Sequence, residues 1–218
     1  MRFLFLGDSL RQENGEETYP QEGWPRERKN FYPGIDILNF AKNGRSSKSF
    51  LDEGRFSFAL SKAREGDICF IGFGHNDEKK EDPSRYTDSF TTFEQNLTYR
   101  VEERKKKKVT CILLTPITRL RYSSDGILLH THLSYPAAIK EVAEKKKVHL
   151  IDLEKRTYGY FSKRSQEENE EFFRRLKPKE YKNYPEGKVD HTHLRRKGAR
   201  LVCEMVKKKR DEFQLRKK

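Results

Sequence analysis

Four stretches of the sequence carry groups suited to attack on an ester. Gly7-Asp8-Ser9-Leu10 follows a short apolar run. A serine reached through glycine just past a strand is open to substrate and can serve as a nucleophile, although the same tetrapeptide is also a common turn. Asn43-Gly44-Arg45-Ser46-Ser47 is first of all a turn signal. Its glycine also lets a backbone N–H come close to a ligand, as an oxyanion donor must. Gly72-Phe73-Gly74-His75-Asn76-Asp77 offers the Asn76 amide to a developing oxyanion, the ordinary alternative being a cap for a loop or helix. Val189-Asp190-His191-Thr192-His193-Leu194 sets a carboxylate three residues before an imidazole and ahead of a helical stripe. Asp190 can there orient His193 as base to a serine elsewhere. Each fragment alone has a structural reading. In this order, at successive strand ends, together they describe acyl transfer.

Such groups need a rigid scaffold. Arg2–Leu6, Ile35–Asn39, Ile68–Phe73, Val109–Leu114 and Val148–Ile151 are short and nearly continuously apolar, the pattern of strands covered on both faces. Helical patterns lie between them. They are Phe56–Ala63, Thr91–Arg104 with Thr91 and Glu94 spaced as a capping box, Pro136–Lys145, and His193–Lys209. The alternation predicts an α/β fold, a three-layer α/β/α sandwich around a five-stranded parallel sheet. With no internal repeat and no Ser/Gly linker, one domain over residues 1–218 is expected. Leu10–Tyr32 and Pro116–Tyr135 leave carboxyl ends of strands, the edge where open α/β sheets bind ligands. Arg156–Lys188 is a further insertion, with a helix start at Ser165 and Glu168.

Composition first suggests something else. Among 218 residues, 47 Lys and Arg face 34 Asp and Glu, a net charge of +13 that invites a polyanion-binding reading. The runs Arg104–Lys108, Lys145–Lys147 and Lys207–Arg210 hold twelve of these cations and no acid. They are expected at helix ends, complementing the helix dipole at the amino edge of the sheet, away from the site. No nucleic-acid partner is therefore expected. No apolar stretch approaches the roughly 18 residues of a membrane span, so no membrane partner is expected either. The apolar run ending at Leu6 is too short for a signal peptide, which suggests a cytoplasmic location. Cys69, Cys111 and Cys203 form no CxxC pair and read as buried free thiols.

Gly7-Asp8-Ser9, Gly44, Gly74-His75-Asn76-Asp77 and Asp190-x-x-His193 resemble the four signature blocks of the SGNH (GDSL) hydrolases. Longer strings are similar to the rhamnogalacturonan acetylesterase branch. These are Asn43 to Phe50, Gly66-Asp67 with Phe73 to Asp77, His132-Leu133-Ser134-Tyr135-Pro136, and Asp190 to Leu194. The resemblance runs from Phe3 to Val206. It implies that Ser9 is the nucleophile, His193 the general base and acid, and Asp190 its orienter. The oxyanion hole would comprise the Ser9 and Gly44 backbone N–H groups and the Asn76 side chain. No metal or other cofactor is implied. The implied substrate is an acetylated pectic oligosaccharide, deacetylated through an acetyl-enzyme.

The sequence departs from the branch at His191, where asparagine is usual, and at Pro25, where glycine is common. His191 raises the possibility that His130-Thr131-His132 and His191-Thr192-His193 together ligate a metal if they meet; the resemblance gives them no such role. His75 reads as a structural hydrogen-bonding residue. Trp24, Tyr122 and Tyr135 either stack on sugar faces or pin their loops. Arg45, Arg119 and Arg121 lie near strand ends, where a guanidinium suits a uronate carboxylate. The same triad could act on xylan acetate, a lipid ester or another acyl ester, which fold does not decide. The rival outside enzymes is a salt-sensitive polyanion binder indifferent to Ser9. Oligomeric state is not legible.

Overall fold

In the computed structural model, residues 1–27 and 31–215 are described; residues 28–30, within the expected loop Leu10–Tyr32, lie outside the described residues. The apolar blocks form the strands β1 (Phe3–Gly7), β2 (Ile37–Asn39), β3 (Ile68–Gly72), β4 (Thr110–Leu114) and β5 (His149–Ile151). All neighbours pair in parallel, in the order β2-β1-β3-β4-β5. Strand order reverses between β1 and β3, where crevices form at the carboxyl edge. Gly7 pairs with Gly72, so the loops bearing Ser9 and Asn76 leave the sheet side by side.

The chain gathers into two compact units. The first comprises Met1–Arg11, Gly34–Pro116 and His132–Asp152. It holds the sheet with α1 (Ser47–Asp52), α2 (Arg55–Lys62), α3 (Glu94–Lys106) and α4 (Tyr135–Lys145). Leu4, Leu6, Cys69, Ile71 and Leu113 share one core with Phe50, Phe56, Leu97, Val101, Ile139 and Val142 from these helices. Phe3, Phe5, Phe70, Ile112 and Leu114 alternate with them along the strands and are buried too. Burial of both faces is what a three-layer arrangement requires. Each large side chain so buried contributes about 2 kcal/mol.

The second unit comprises Gln12–Pro33, Ile117–Thr131 and the chain from Leu153 on. It holds α5 (Leu153–Phe161), α6 (Gln166–Glu170), β6 (Phe173–Leu176), β7 (Lys188–Leu194) and α7 (Arg196–Leu215). Phe161 packs against Phe172 at 5.4 Å and Phe173 at 5.3 Å, while Ala199, Val202, Cys203 and Val206 of α7 are buried. The β6–β7 antiparallel ribbon is not foreseen from sequence, since Lys188–Leu194 is too polar for a core strand. It places His193 in a strand, and the helix begins only at Arg196.

Other local expectations divide. Ser165 and Glu168 form a reciprocal capping box at α6. Thr91 and Glu94 do not. A single π-type turn, Ser89–Phe93, precedes α3, and Asp88 caps it by accepting from Phe90 N at 3.2 Å and Thr91 Oγ1 at 2.9 Å. A carboxylate one turn earlier thus takes the start. The runs Arg104–Lys108 and Lys145–Lys147 do fall at the ends of α3 and α4, immediately before β4 and β5. Lys207–Arg210 instead lies inside α7, with Lys207 paired to Asp211 at 2.8 Å. Arg104 is fully buried, 5.4 Å from the Phe56 ring centroid, and donates to Ala59 O at 3.2 Å. No described helix is long and apolar enough to cross a membrane.

The first turn after β1 encloses a buried ion pair, Arg11 to Asp8, at 3.3 Å. Its space exists because β1 and β3 end in glycine: a Cβ on Gly72 would stand 2.0 Å from Arg11 Nη2. Gly72→Ala is expected to destabilise the protein by about 2 kcal/mol through overpacking, read as a lower urea midpoint. An unchanged midpoint would show that Arg11 can move aside freely.

Candidate active site

Ser9 lies two residues past the end of β1 and is 7% exposed, deeper than a serine at an open strand end implies. Asp8 faces inward, where its Oδ1 accepts from Leu10 N at 3.1 Å and from Arg11. It therefore shapes the turn that presents Ser9. Phe40 N donates to Phe5 O at 2.9 Å and Lys42 N to Gly7 O at 3.0 Å, drawing the next loop alongside β1. Gly44 takes φ +76°, a left-handed conformation natural to glycine. Ser46 then caps α1 reciprocally with Ser49.

Asn76 is 5% exposed and its Nδ2 donates to Arg45 O at 3.2 Å. An amide nitrogen carries two hydrogens, so one bond fixes it beside the Gly44 loop while the other can serve an oxyanion. Asp77 staples this arrangement. It accepts from Ser47 N at 2.8 Å, Gly74 N at 3.0 Å and Thr87 Oγ1 at 3.0 Å. Burial pushes its carboxyl up to about 6, against these stabilising hydrogen bonds. Tyr135 donates to the carbonyls of Asp77, at 2.9 Å, and Thr87.

The candidate acid–base pair, His193 and Asp190, belongs to the second unit. His193 Nδ1 lies 2.8 Å from Asp190 Oδ2, and Asp190 Oδ1 accepts from the N–H groups of Thr192 at 2.9 Å and His193 at 3.0 Å. With the hydrogen on Nδ1, the Nε2 lone pair is left to take a proton. Burial works to raise the Asp190 pKa, but the hydrogen bond and charge of His193 and the backbone donors hold it well below the usual carboxylate range. Sequence reasoning missed a further partner. Arg174, on β6 and 9% exposed, donates to Asp190 Oδ2 from Nε at 3.1 Å and Nη2 at 2.6 Å. Its Nη1 donates to Gln21 Oε1 and the Tyr184 hydroxyl, both at 2.7 Å. An arginine between apolar residues in Phe172-Phe173-Arg174-Arg175-Leu176 was the available signal.

The expected sugar contacts fare differently. Trp24 is fully buried and Tyr135 is 3% exposed, so both rings pin their surroundings and present no face for stacking. The Tyr122 hydroxyl accepts from Asn169 Nδ2 at 3.0 Å. Arg45 pairs with Glu53 at 3.0 Å and donates to Asn43 O at 2.9 Å. Arg119 is half-buried, whereas Arg121 is exposed. Arg85, also missed, pairs with Asp82 and lies with Nη1 3.5 Å from Asn76 Oδ1.

His130 and His132 have different partners. His132 belongs to the first unit, edge-on to His75 at 4.5 Å with Nδ1 3.4 Å from Glu78. His130 belongs to the second, stacked on Tyr158 at 3.8 Å and bonded to Glu154. Burial lowers the pKa of His191, and the charges of Arg121 and Arg175 add to this. Among the described residues, no group of three or more His, Cys, Asp or Glu side chains is arranged to hold a metal. All three cysteines are free and buried. Burial pushes Cys69 up to about 11 and Cys203 to about 12, so they rest as inert thiols.

Residues 5–201 match the model of the GDSL-like lipase/acylhydrolase family. The rhamnogalacturonan acetylesterase RhgT of Bacillus subtilis (strain 168) is 33% identical over 207 residues, which cover 94% of this chain and 88% of that protein. Among solved structures, the YxiM protein of Bacillus subtilis superposes with a TM-score of 0.81 at 22% identity, over 98% of this chain and 56% of that one. The acetylxylan esterase Axe2 of Geobacillus stearothermophilus superposes with a TM-score of 0.67 at 15% identity, over 95% and 93% of the two chains.

Removing the Asp77 carboxylate strips three buried donors of their acceptor. Asp77→Ala is expected to lower the unfolding free energy by about 3 kcal/mol, measured by chemical denaturation. A loss below about 0.5 kcal/mol would show that the loop carries itself.

Proposed function

The chain belongs to the GDSL-like lipase/acylhydrolase family, and on that premise we propose that it removes acetyl groups from acetylated pectic oligosaccharides of the rhamnogalacturonan type. It is a carboxylic ester hydrolase. The observation that carries the mechanism is the His193–Asp190 pair at 2.8 Å, with Asp190 kept ionised. Ser9 Oγ attacks the acetyl carbonyl as His193 Nε2 takes its proton. Asp190 stabilises the imidazolium that results. The tetrahedral oxyanion is received by the N–H groups of Ser9 and Gly44 and by Asn76 Nδ2, each worth roughly 3 kcal/mol of barrier. His193 returns its proton to the departing sugar oxygen. The acetyl-enzyme is then opened by a water that the same histidine deprotonates.

The family match takes in segments of both compact units, which supports reading residues 1–218 as one hydrolase domain. The pectic substrate is supported by the likeness to a rhamnogalacturonan acetylesterase along nearly the whole chain. At least one of Arg45 (which also holds Glu53), Arg119 and Arg121 is assigned to bind a uronate carboxylate.

Ser9→Ala and His193→Ala are each expected to lower kcat/KM for an activated acetyl ester by about a thousandfold or more, and retention of the rate by either would sink the mechanism. Acetate release from a panel of acetylated rhamnogalacturonan, acetylated xylan and lipid esters tests the substrate. Fastest release is expected from the first, and a clear preference for either other class would replace it. Alanine at Arg45, Arg119 and Arg121 together is expected to raise KM for the pectic oligosaccharide several-fold. An unaltered KM would remove the uronate contact.

A further inference from the structure

We propose that Arg174 is a positioning residue that tempers the catalytic base: it shares the Asp190 oxygen bound by His193 and so keeps the imidazole free to accept a proton in more acid solution. The inference rests on the role proposed for His193.

Orientation alone does not explain the arginine. Asp190 Oδ1 is already held by two backbone N–H groups, and Oδ2 by His193 Nδ1. What Arg174 adds is a full positive charge 2.6 Å from Oδ2, where the Asp190 side chain is only 11% exposed. An undivided Asp190 charge would stabilise the imidazolium and hold the proton on His193. A guanidinium on the same oxygen spends part of that charge. Arg174 is itself fixed: besides its bonds to Gln21 and Tyr184, its Cζ lies 5.1 Å from the Tyr184 ring centroid. The Tyr184 hydroxyl in turn donates to Thr18 O at 3.3 Å.

The neighbouring charges of the second unit act elsewhere. Arg175, next on β6, pairs with Glu170 at 2.7 Å, and Arg121 acts with it on His191. Glu22, whose N–H donates to Leu194 O, pairs with Arg26 at 3.4 Å, and Glu27 pairs with Arg196 at 3.1 Å.

The test is the pH profile of kcat/KM on an activated acetyl ester for the full chain and its variants. In Arg174→Gln the acid limb is expected to move upward by about one pH unit, because His193 then keeps its proton to higher pH. Arg174→Lys, which restores the charge, is expected to recover most of that shift. An acid limb that stays in place in Arg174→Gln overturns the proposal, even if thermal stability or the overall rate falls. Should that variant fail to fold, Tyr184→Phe takes its place, because it removes one of the two acceptors holding Nη1. A smaller upward shift supports the role, and an unmoved limb rejects it. Survival of activity in Ser9→Ala or His193→Ala rejects the base assignment itself. An unmoved limb in an enzyme silenced by both rejects only the role of Arg174.

Discussion

Parallel strands cannot be joined by hairpins. Every connection must travel back across a face of the sheet, so all strands end at one edge and all begin at the other. That constraint organises the first unit. Gly7 and Gly72 stand in register at the carboxyl edge, and the loops leaving them carry Ser9 and Asn76. The returning helices α3 and α4 deliver two cationic runs to the amino edge, where the chain re-enters β4 and β5. Much of the charge that dominates the composition is thereby kept from the chemistry. It is partly neutralised there, as with Lys108 and Glu65 at 3.2 Å, and partly absorbed into the core, as with Arg104 over Phe56.

Two aspartates, Asp77 buried and Asp190 partly so, show how donors decide what a carboxylate does. Asp77 collects three hydrogen bonds from uncharged groups, and burial still drives it up to about 6. Asp190 adds an imidazole and a guanidinium to two backbone donors and stays firmly ionised. The first is a staple whose worth lies in the acceptors it provides; the second is a standing charge. The proposed mechanism needs both, because a donor aimed at an oxyanion works only if its loop does not move, and a base works only if its partner keeps its charge.

The parallel sheet was legible because burial on both faces leaves runs such as Phe3–Leu6 that have few other readings. The residues proposed for the triad and oxyanion hole stood out because glycine, asparagine and the Asp–x–x–His spacing serve chemistry and backbone geometry together. The β6–β7 ribbon was not, since its partly exposed residues carry no clean period. Arg174 was hidden with it, because no spacing in the sequence announces a bond across a ribbon. Trp24 and Tyr135 show the opposite failure. Residue type suggested a sugar platform, but an aromatic ring serves equally well in a core, and both are buried. The start of α3 was misplaced because Asp88, three residues ahead of Thr91, takes the cap.

The interleaving of the two units bears on how the chain is made. Gln12–Pro33 belongs with Ile117–Thr131 and the chain from Leu153 on, so it leaves the ribosome long before its companions. Gln21 is separated from Arg174 by 153 positions. At about 5 to 20 residues per second, that is a wait of roughly 8 to 30 seconds. The sheet can assemble in the meantime, since its last strand ends at Ile151. The segment that holds Arg174 must stay out of wrong pairings until the final third of the polypeptide emerges. Synthesis from the N-terminus therefore delivers the strand that leads to Ser9 early and the support of His193 last.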